Sequence, residues 1–425
     1  MSEYDICILG AGISGLYCAR ELARALPGSK ICILEKYKYI GGRISTFKTN
    51  VNGQGEVKWE AGAGRLHNSH HKLLKLLKEY DIDISPIHGI IQWYSSGSYY
   101  PIEFGRYIEN ISAIKSLPDE TIKSHTLKGL LDLTIGTSSA KVLMDTYEYK
   151  SELDTLRADK ALEALSNELG YQSGFSIVNK GLSSLIGALK RDIEKIGVKI
   201  FREHEVDDII MDNSLYRIII KGKKMCKSFR ASNVIVTLPR DAVSKLPCFA
   251  KLPVLKQVKM RPLVRMYAVF PLHEGKPWFD GLGKIVCKSP IHYIIPIDAT
   301  RGIIMISYTD GKDAEYWINI YENPNGVSKI QNEVMSRLRA LFSDIEIPDP
   351  LAFEIHPWSD GCSYWLPGNY DIDKVSMSSI IPIPDEMPNV YMTNESWATN
   401  QSWIESSLDQ ADKTLSVILG KRARG

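Results

Sequence analysis

The spacing of apolar residues changes repeatedly along the chain, and each change marks an element. Residues 4–9 are a short apolar run of strand length, broken only by Asp5. Gly10, Gly12 and Gly15 follow, and then Leu16, Ala19, Ala23 and Leu26 recur at helical spacing, so strand, tight turn and helix are predicted in that order. A second strand-like run, residues 30–34, apolar after Lys30, ends on Glu35. Leu73, Leu76, Leu77 and Tyr80 mark an amphipathic helix, and residues 102–169 show helical periodicity with many Lys and Glu residues and no cofactor motif. The runs "GVKIFREHEVDDIIM" and "ASNVIVTLP" read as strands, the second closed by Pro239. Between residues 251 and 349, strand-like runs ("LVRMYAVF", "HYIIPI", "GIIMISY") alternate with one clear helix, "VSKIQNEVMSRLRALF".

The 425 residues exceed what one core usually holds, which predicts two packed domains or one domain with a large insertion. A formal net charge of +2 gives no global attraction to nucleic acid or a membrane surface. No apolar run reaches the roughly 20 residues needed to span a bilayer, and the first motif begins by Tyr4, so no signal peptide is expected. Seven cysteines without a CxxC pair fit buried thiols in a reducing compartment, so a cytoplasmic location is expected. The basic tail "GKRARG" reads as a solvated end. His67, His70 and His71 lack an acidic or cysteine partner at metal-ligand spacing, so no metal site is expected, and they read as exposed histidines at a helix start.

The first strand, turn and helix carry chemistry. Gly10 permits the turn, Gly12 lets backbone approach a pyrophosphate, and Gly15 lets helix and strand pack. The helix N-terminus, with Ile13 and Ser14 in its first turn, presents free N–H groups and partial positive charge to phosphate. Glu35 falls about twenty residues after the last glycine, the position that hydrogen-bonds a ribose diol. An acid there favours an unphosphorylated ribose, hence NAD or FAD over NADP, with Lys36 beside it.

The choice between those two turns on "GGR", residues 41–43. A glycine pair and arginine just beyond the ribose acid resemble the FAD-dependent amine oxidase superfamily, which includes monoamine, polyamine, L-amino-acid and protoporphyrinogen oxidases. The resemblance implies FAD and an α/β fold. That fold has a Rossmann-like FAD-binding domain (1–95, 175–250 and 385–425) and an interleaved substrate domain of sheet plus helices (96–174 and 251–384). It implies that Gly41 and Gly42 let the chain pass close to the cofactor and that Arg43 is a counter-charge near the pyrophosphate and flavin. "WEAGAGR" is similar to the family segment passing the flavin, with Gly62, Ala63 and Gly64 leaving room for the ring and Arg65 facing the substrate. "FSIVNKGLSSLIGALKRDI" resembles the family's strand, glycine turn and helix leading back to the FAD domain, and Val206 matches the position whose backbone contacts adenine. "HPWSDGCSYWLPG" resembles the aromatic wall of the active site. In the closing strand and helix, Glu395 would reach the ribityl chain, and Trp403 and Ile404 would begin a helix under the flavin. Trp358, Tyr364, Trp365, Trp397 and Trp403 are candidates for an aromatic box that favours an amine.

Family chemistry implies hydride transfer from the carbon bearing a neutral amine to flavin N5, imine formation, and reoxidation by oxygen to give H2O2. The expected partners are therefore a small amine or amino acid and molecular oxygen. "WIES" and Arg65 resemble L-amino-acid oxidases, in which the arginine pairs with the substrate carboxylate. Arg265 stands where many relatives carry a lysine that holds a water near N5, unless it points to the outer face of its strand. Cys362, in "WSDGC", matches a cysteine that monoamine oxidases attach covalently to flavin, although the segment after it is shortened. Thr393 and Asn394 replace the family's Ala-Gly, and Gln410 and Ala411 replace its Ser-Gly. These departures leave two alternatives beside amine or amino-acid oxidation: attack on a non-amine C–H or C–C bond, and an FAD-binding scaffold without catalysis.

Overall fold

Ile6 and Ile8 alternate with Cys7 and Leu9 along the strand Ser2–Leu9, and all four are fully buried. A strand reads as a continuous apolar run when both faces of its sheet are covered. The structure, a computed structural model, describes residues 2–87, 89, 91–95, 97–101, 111–170, 174–222 and 228–422. It is a mixed α/β architecture built on two seven-stranded sheets.

The first sheet runs in the order Lys199–Phe201, Ile31–Leu34, Ser2–Leu9, Phe229–Val236, Leu215–Ile220, Val206–Asp212, with Val390–Met392 also paired to Phe229–Val236. Its first four strands and Val390–Met392 are parallel, and the last two close it as an antiparallel hairpin. Ile6, Ile8, Ile31 and Ile33 pack against the helices Ile13–Ala25, Ser183–Lys195 and Ile404–Arg422. Cys7, Leu9, Cys32 and Leu34 face a second cluster that continues into the helices Leu127–Ile135, Thr137–Thr146 and Ala158–Gly170. Strand order turns around at Ser2–Leu9: the next strand in the chain, Ile31–Leu34, lies on one side of it, and Phe229–Val236, from much later in the chain, on the other. Ligands of such sheets bind beyond the carboxyl ends of the strands at that point.

The second sheet follows the order Ala352–Trp365, Val258–Val269, Ile303–Asp310, Tyr293–Asp298, Lys284–Cys287, Ile91–Ser95, Ser98–Pro101. It is antiparallel apart from the pairing of Ile91–Ser95 with Lys284–Cys287. That pairing starts the second sheet at residue 91, so a boundary between 95 and 96 divides a hairpin of this sheet. The helices Gly311–Tyr321 and Gly326–Leu341 cover its outer face through Trp317, Ile330, Val334 and Leu338. The stretch expected to be helical between 102 and 169 consists, where it is described, of short helices joined by turns, and residues 102–110 lie outside the described residues. Six cysteines are free thiols, and Cys226 and the last three residues of the basic tail also lie outside the described residues. Among the described residues no helix is long and apolar enough to cross a membrane.

Candidate active site

A single cavity of about 1630 Å³ extends from the carboxyl end of the first sheet to the inner face of the second. That exceeds the ~300–1,000 Å³ of an ordinary small-ligand pocket, and it has room for a dinucleotide and a second molecule.

At the first sheet, Gly10 adopts φ +104°, a turn only glycine takes without strain, and Gly15 lies where a Cβ would meet the Gly10 carbonyl oxygen at 2.0 Å. Gly15 therefore serves the packing of helix on turn and does not line the cavity. Gly12 differs. Its φ of −76° suits any residue, and a Cβ there would meet no protein atom closer than Gly42 Cα at 4.0 Å. Its missing side chain leaves space in the cavity wall rather than relieving a clash. Beside it, Ser14 is 2% exposed and its Oγ has no hydrogen-bond partner in the protein. A helix N-terminus, an open cradle and an orphaned hydroxyl together fit a phosphate group. Ile13 lines the same wall.

Glu35 is buried at the end of its strand, and its carboxylate already accepts from two backbone groups, Ala11 N–H at 2.8 Å and Tyr37 N–H at 2.9 Å. Each oxygen keeps a further lone pair for a ribose hydroxyl, so the residue both shapes the turn and faces the ligand. Lys36 stands at the rim, paired to Glu205 at 3.2 Å, and Val206 lines the wall beside it.

Gly41 and Gly42 both have positive φ, +114° and +60°, and the bend brings Gly41 into a bridge with Gly12. It delivers Arg43, whose Nη1 donates to Glu395 at 2.6 Å and to the Gly361 carbonyl at 3.0 Å. Burial opposes the arginine's charge, but the Glu395 carboxylate outweighs it and holds the guanidinium above its ordinary pKa. Glu395 also accepts from Ser363 Oγ at 2.8 Å and from Ser402 N–H at 2.9 Å. Asn394, one of the departures from the family pattern, accepts from Arg43 at 3.3 Å and donates to the Thr237 carbonyl at 3.0 Å, so it braces the pair.

The far half of the cavity is aromatic. The Arg65 guanidinium lies 4.4 Å from the centre of the Phe175 ring, 5.3 Å from Tyr149 and 5.4 Å from Trp403. Trp403 directly precedes Ile404, the first residue of the closing helix. Trp358 donates its indole N–H to the Ala61 carbonyl at 2.7 Å. Gly62 and Gly64 do more than leave room for a ring: a Cβ would strike the Arg43 carbonyl at 2.0 Å in the first case and the Arg265 guanidinium at 2.9 Å in the second. Ala63 lines the wall between them. Arg265 faces the cavity, since it alternates with the core residues Val264 and Met266. It rests 4.7 Å from the Tyr308 ring centre and donates to the Glu60 carbonyl at 3.2 Å. Burial raises the Glu60 carboxyl to about 7 and, with help from Arg265, lowers His356 to about 4. Cys362 borders the same space, and burial, reinforced by Glu395, pushes its thiol up to about 12, which keeps it protonated.

Two expectations need correction. His67 and His70 are 7% and 8% exposed rather than solvated, because Phe175 and Trp403 cover them. His70 Nδ1 accepts from the His67 backbone N–H at 3.1 Å. Trp365 and Trp397 do not belong to the aromatic wall: both are core residues, 1% and 0% exposed, whereas Trp358, Tyr364 and Trp403 do line the cavity. Sequence reasoning missed Tyr149, Phe175, Tyr308, Asp310 and Lys284: Phe175 opens a segment that reads only as a strand, turn and helix, Tyr308 ends a strand-like run, and the other three lie in no motif.

Two family models and several relatives match the chain. The family model for flavin containing amine oxidoreductase matches residues 136–414, and that for an NAD(P)-binding Rossmann-like domain matches residues 8–80. An L-amino-acid oxidase of Echis ocellatus is 23% identical over 366 residues, covering 75% of this chain and 70% of that protein. An L-amino-acid oxidase of Mus musculus is 38% identical over 82 residues, which are 19% of this chain and only 12% of the mouse protein. The solved structure of a putrescine oxidase variant with redesigned cofactor binding superimposes with a TM-score of 0.76 at 15% identity, covering 99% of both chains. With the first of these family models matching well over half of its length, the chain belongs to the flavin containing amine oxidoreductase family, with FAD as its dinucleotide.

Proposed function

We propose that the protein oxidises the amine of an L-amino acid, giving an imine and H2O2 with molecular oxygen as the final acceptor. The observation that carries this reading is the Arg65 guanidinium framed by Phe175, Tyr149 and Trp403 in the half of the cavity away from the ribose acid. A ring of aromatic faces would by itself favour an ammonium group. With a guanidinium already occupying the ring, the preferred guest is an anion, and a planar fork suits a carboxylate. Arg265 and Lys284 line the same half, which further disfavours a purely cationic ligand there.

Bound FAD would supply the two-electron acceptor that takes hydride from the carbon bearing the amine and later passes the electrons to oxygen. The chain's own contribution is placement and charge. Arg65 would hold the carboxylate, and with Arg265 it would favour the uncharged amine that hydride loss requires, because neighbouring like charges disfavour protonation. The N-terminus of the helix beginning at Ile404 would offer positive potential where charge develops. Trp358, fixed to the Ala61 carbonyl, would wall the reacting carbon from water.

The test is peroxide release by the FAD-loaded protein on a panel of L-amino acids and their decarboxylated analogues. Peroxide from one or more amino acids, and little from the matching amines, is the expected outcome. Turnover of the amines alone would overturn the reading. No peroxide but anaerobic bleaching of the flavin by a non-amine compound would point instead to oxidation of another C–H bond, and no bleaching by any compound to a scaffold.

A further inference from the structure

The same cavity wall carries a carboxyl group without a role so far. Asp310 ends the strand Ile303–Asp310 and lies two residues after Tyr308, on the same face of the sheet and about 7 Å further along it. It is 6% exposed. Its Oδ2 accepts from the Ser151 backbone N–H at 2.8 Å, while its buried Oδ1 has no hydrogen-bond partner in the protein. Of the nearby cations, Lys150 pairs with Asp313 at 2.8 Å, and Arg261 pairs with Glu315 at 3.0 Å through Nη1, its buried Nε having no partner. Burial accordingly raises the Asp310 carboxyl to about 6.

An isolated buried carboxylate is costly unless something pairs with it. Here the partner can arrive from the cavity. Tyr308, Tyr364 and Tyr149 line the approach; Tyr308 and Tyr149 already carry the Arg265 and Arg65 guanidinium groups, which leaves the Tyr364 ring as the aromatic surface for a cation. Tyr149 spans the two ends of this region, since its ring lies 5.3 Å from the Arg65 guanidinium and 5.7 Å from the Tyr308 ring. The wall therefore presents a guanidinium at one end and a carboxyl at the other, with aromatic surface between.

We propose that Asp310 receives the cationic end of the substrate side chain, so that the site selects a dibasic amino acid. Its carboxylate would rest on Arg65, its α-amine would lie at the reacting position, and its terminal ammonium or guanidinium would pair with Asp310. This rests on the amino-acid reading above and narrows it.

The experiment compares L-lysine, L-ornithine and L-arginine with L-norleucine, which matches lysine in length but lacks the terminal charge. Wild-type FAD-loaded protein should show kcat/KM at least tenfold higher for one of the dibasic compounds than for norleucine. Asp310→Asn should cut that ratio at least tenfold, mainly through KM, and Asp310→Glu, which keeps the charge, should preserve the preference for a dibasic compound. Both variants are scored only with flavin content equal to wild type. A wild-type preference for norleucine, or an unaltered ratio in Asp310→Asn, overturns the assignment. If no amino acid releases peroxide, the proposed reaction falls on its own. Calorimetric binding of L-lysine and L-norleucine to the oxidised FAD-loaded protein then decides the subsite, and equal affinities would remove Asp310 from it.

Discussion

At the scale of single residues, Glu35 and Arg65 do jobs that can be separated by measurement. Glu35 holds two backbone N–H groups while facing the ribose position, so its loss acts twice. Glu35→Ala should weaken FAD binding by about 2–3 kcal/mol through lost charge-assisted hydrogen bonds, and it should also lower apoprotein stability by leaving buried donors unpaired. Titration of apoprotein with FAD reads the first effect and thermal unfolding the second; a variant with wild-type FAD affinity would remove Glu35 from the ribose site. Arg65 should leave the cofactor alone. Arg65→Met should raise the apparent KM for an amino acid, in line with the roughly 2–5 kcal/mol cost of removing one partner of a buried charge pair. A decarboxylated analogue should lose little. Equal losses on both compounds would make Arg65 a support of the aromatic wall and not a carboxylate ligand.

At the scale of elements, the glycines of the first turn divide into those that serve the protein and those that serve the ligand. Gly15→Ala drives a Cβ to 2.0 Å from the Gly10 carbonyl oxygen, so strand and helix must separate and the chain should fail to reach the native state. Gly12→Ala meets only an ordinary contact at 4.0 Å, and apoprotein stability should stay within about 0.5 kcal/mol of wild type. Yet its methyl group would occupy the phosphate cradle, and the purified protein should be nearly colourless. Full flavin content in Gly12→Ala would contradict that placement. The contrast also explains what was legible beforehand. The turn glycines, Glu35 and the residues 41–43 bend are local: about forty consecutive residues contain the strand, turn, helix and second strand that position them. Tyr149, Phe175 and Tyr308 come from three distant segments, each unremarkable in its own element. Only the pairing of Ile303–Asp310 with Val258–Val269 sets Tyr308 against Arg265. The burial of His67 and His70 likewise depends on Phe175 and Trp403, which arrive from residues more than a hundred positions away.

At the scale of the whole molecule, buried titratable groups set opposing slopes of stability with pH. His70, His292 and His356 are each lowered from 6.5 to about 4, chiefly by burial. Between those values the unfolded chain binds more protons than the folded one, so each histidine makes stability rise as pH goes from about 4 to about 6.5. Glu60 and Asp310 act in the other direction. Their folded values, about 7 and about 6, lie above the unfolded ones of 4.5 and 3.8, so the folded chain keeps protons that the unfolded chain has lost and stability falls as pH rises through that interval. Burial also raises Glu354, Asp360 and Glu405, by less, while Asp159, Asp192 and Glu205 are lowered and add to the loss in acid; these smaller shifts oppose one another, and the three imidazoles outweigh the Glu60 and Asp310 carboxyls below about pH 6.5. Above about 6.5 the Glu60 carboxyl is still titrating. Apoprotein stability should therefore climb from about pH 4 to a maximum near 6.5 and decline slightly toward 7. Two of the histidines have a visible reason to fail in acid. His356 Nε2 accepts from the Trp59 indole N–H at 2.9 Å, and His70 Nδ1 accepts from a backbone N–H, so protonation turns each acceptor into a donor facing a donor. Thermal unfolding of the apoprotein across this range checks the profile. His356→Gln keeps an acceptor for Trp59 without a titrating ring and should flatten the acid limb, raising Tm relative to wild type more at pH 4.5 than at pH 7. A wild-type Tm that increases steadily as pH falls below 6 would mean that the buried carboxyls, not the histidines, dominate the balance.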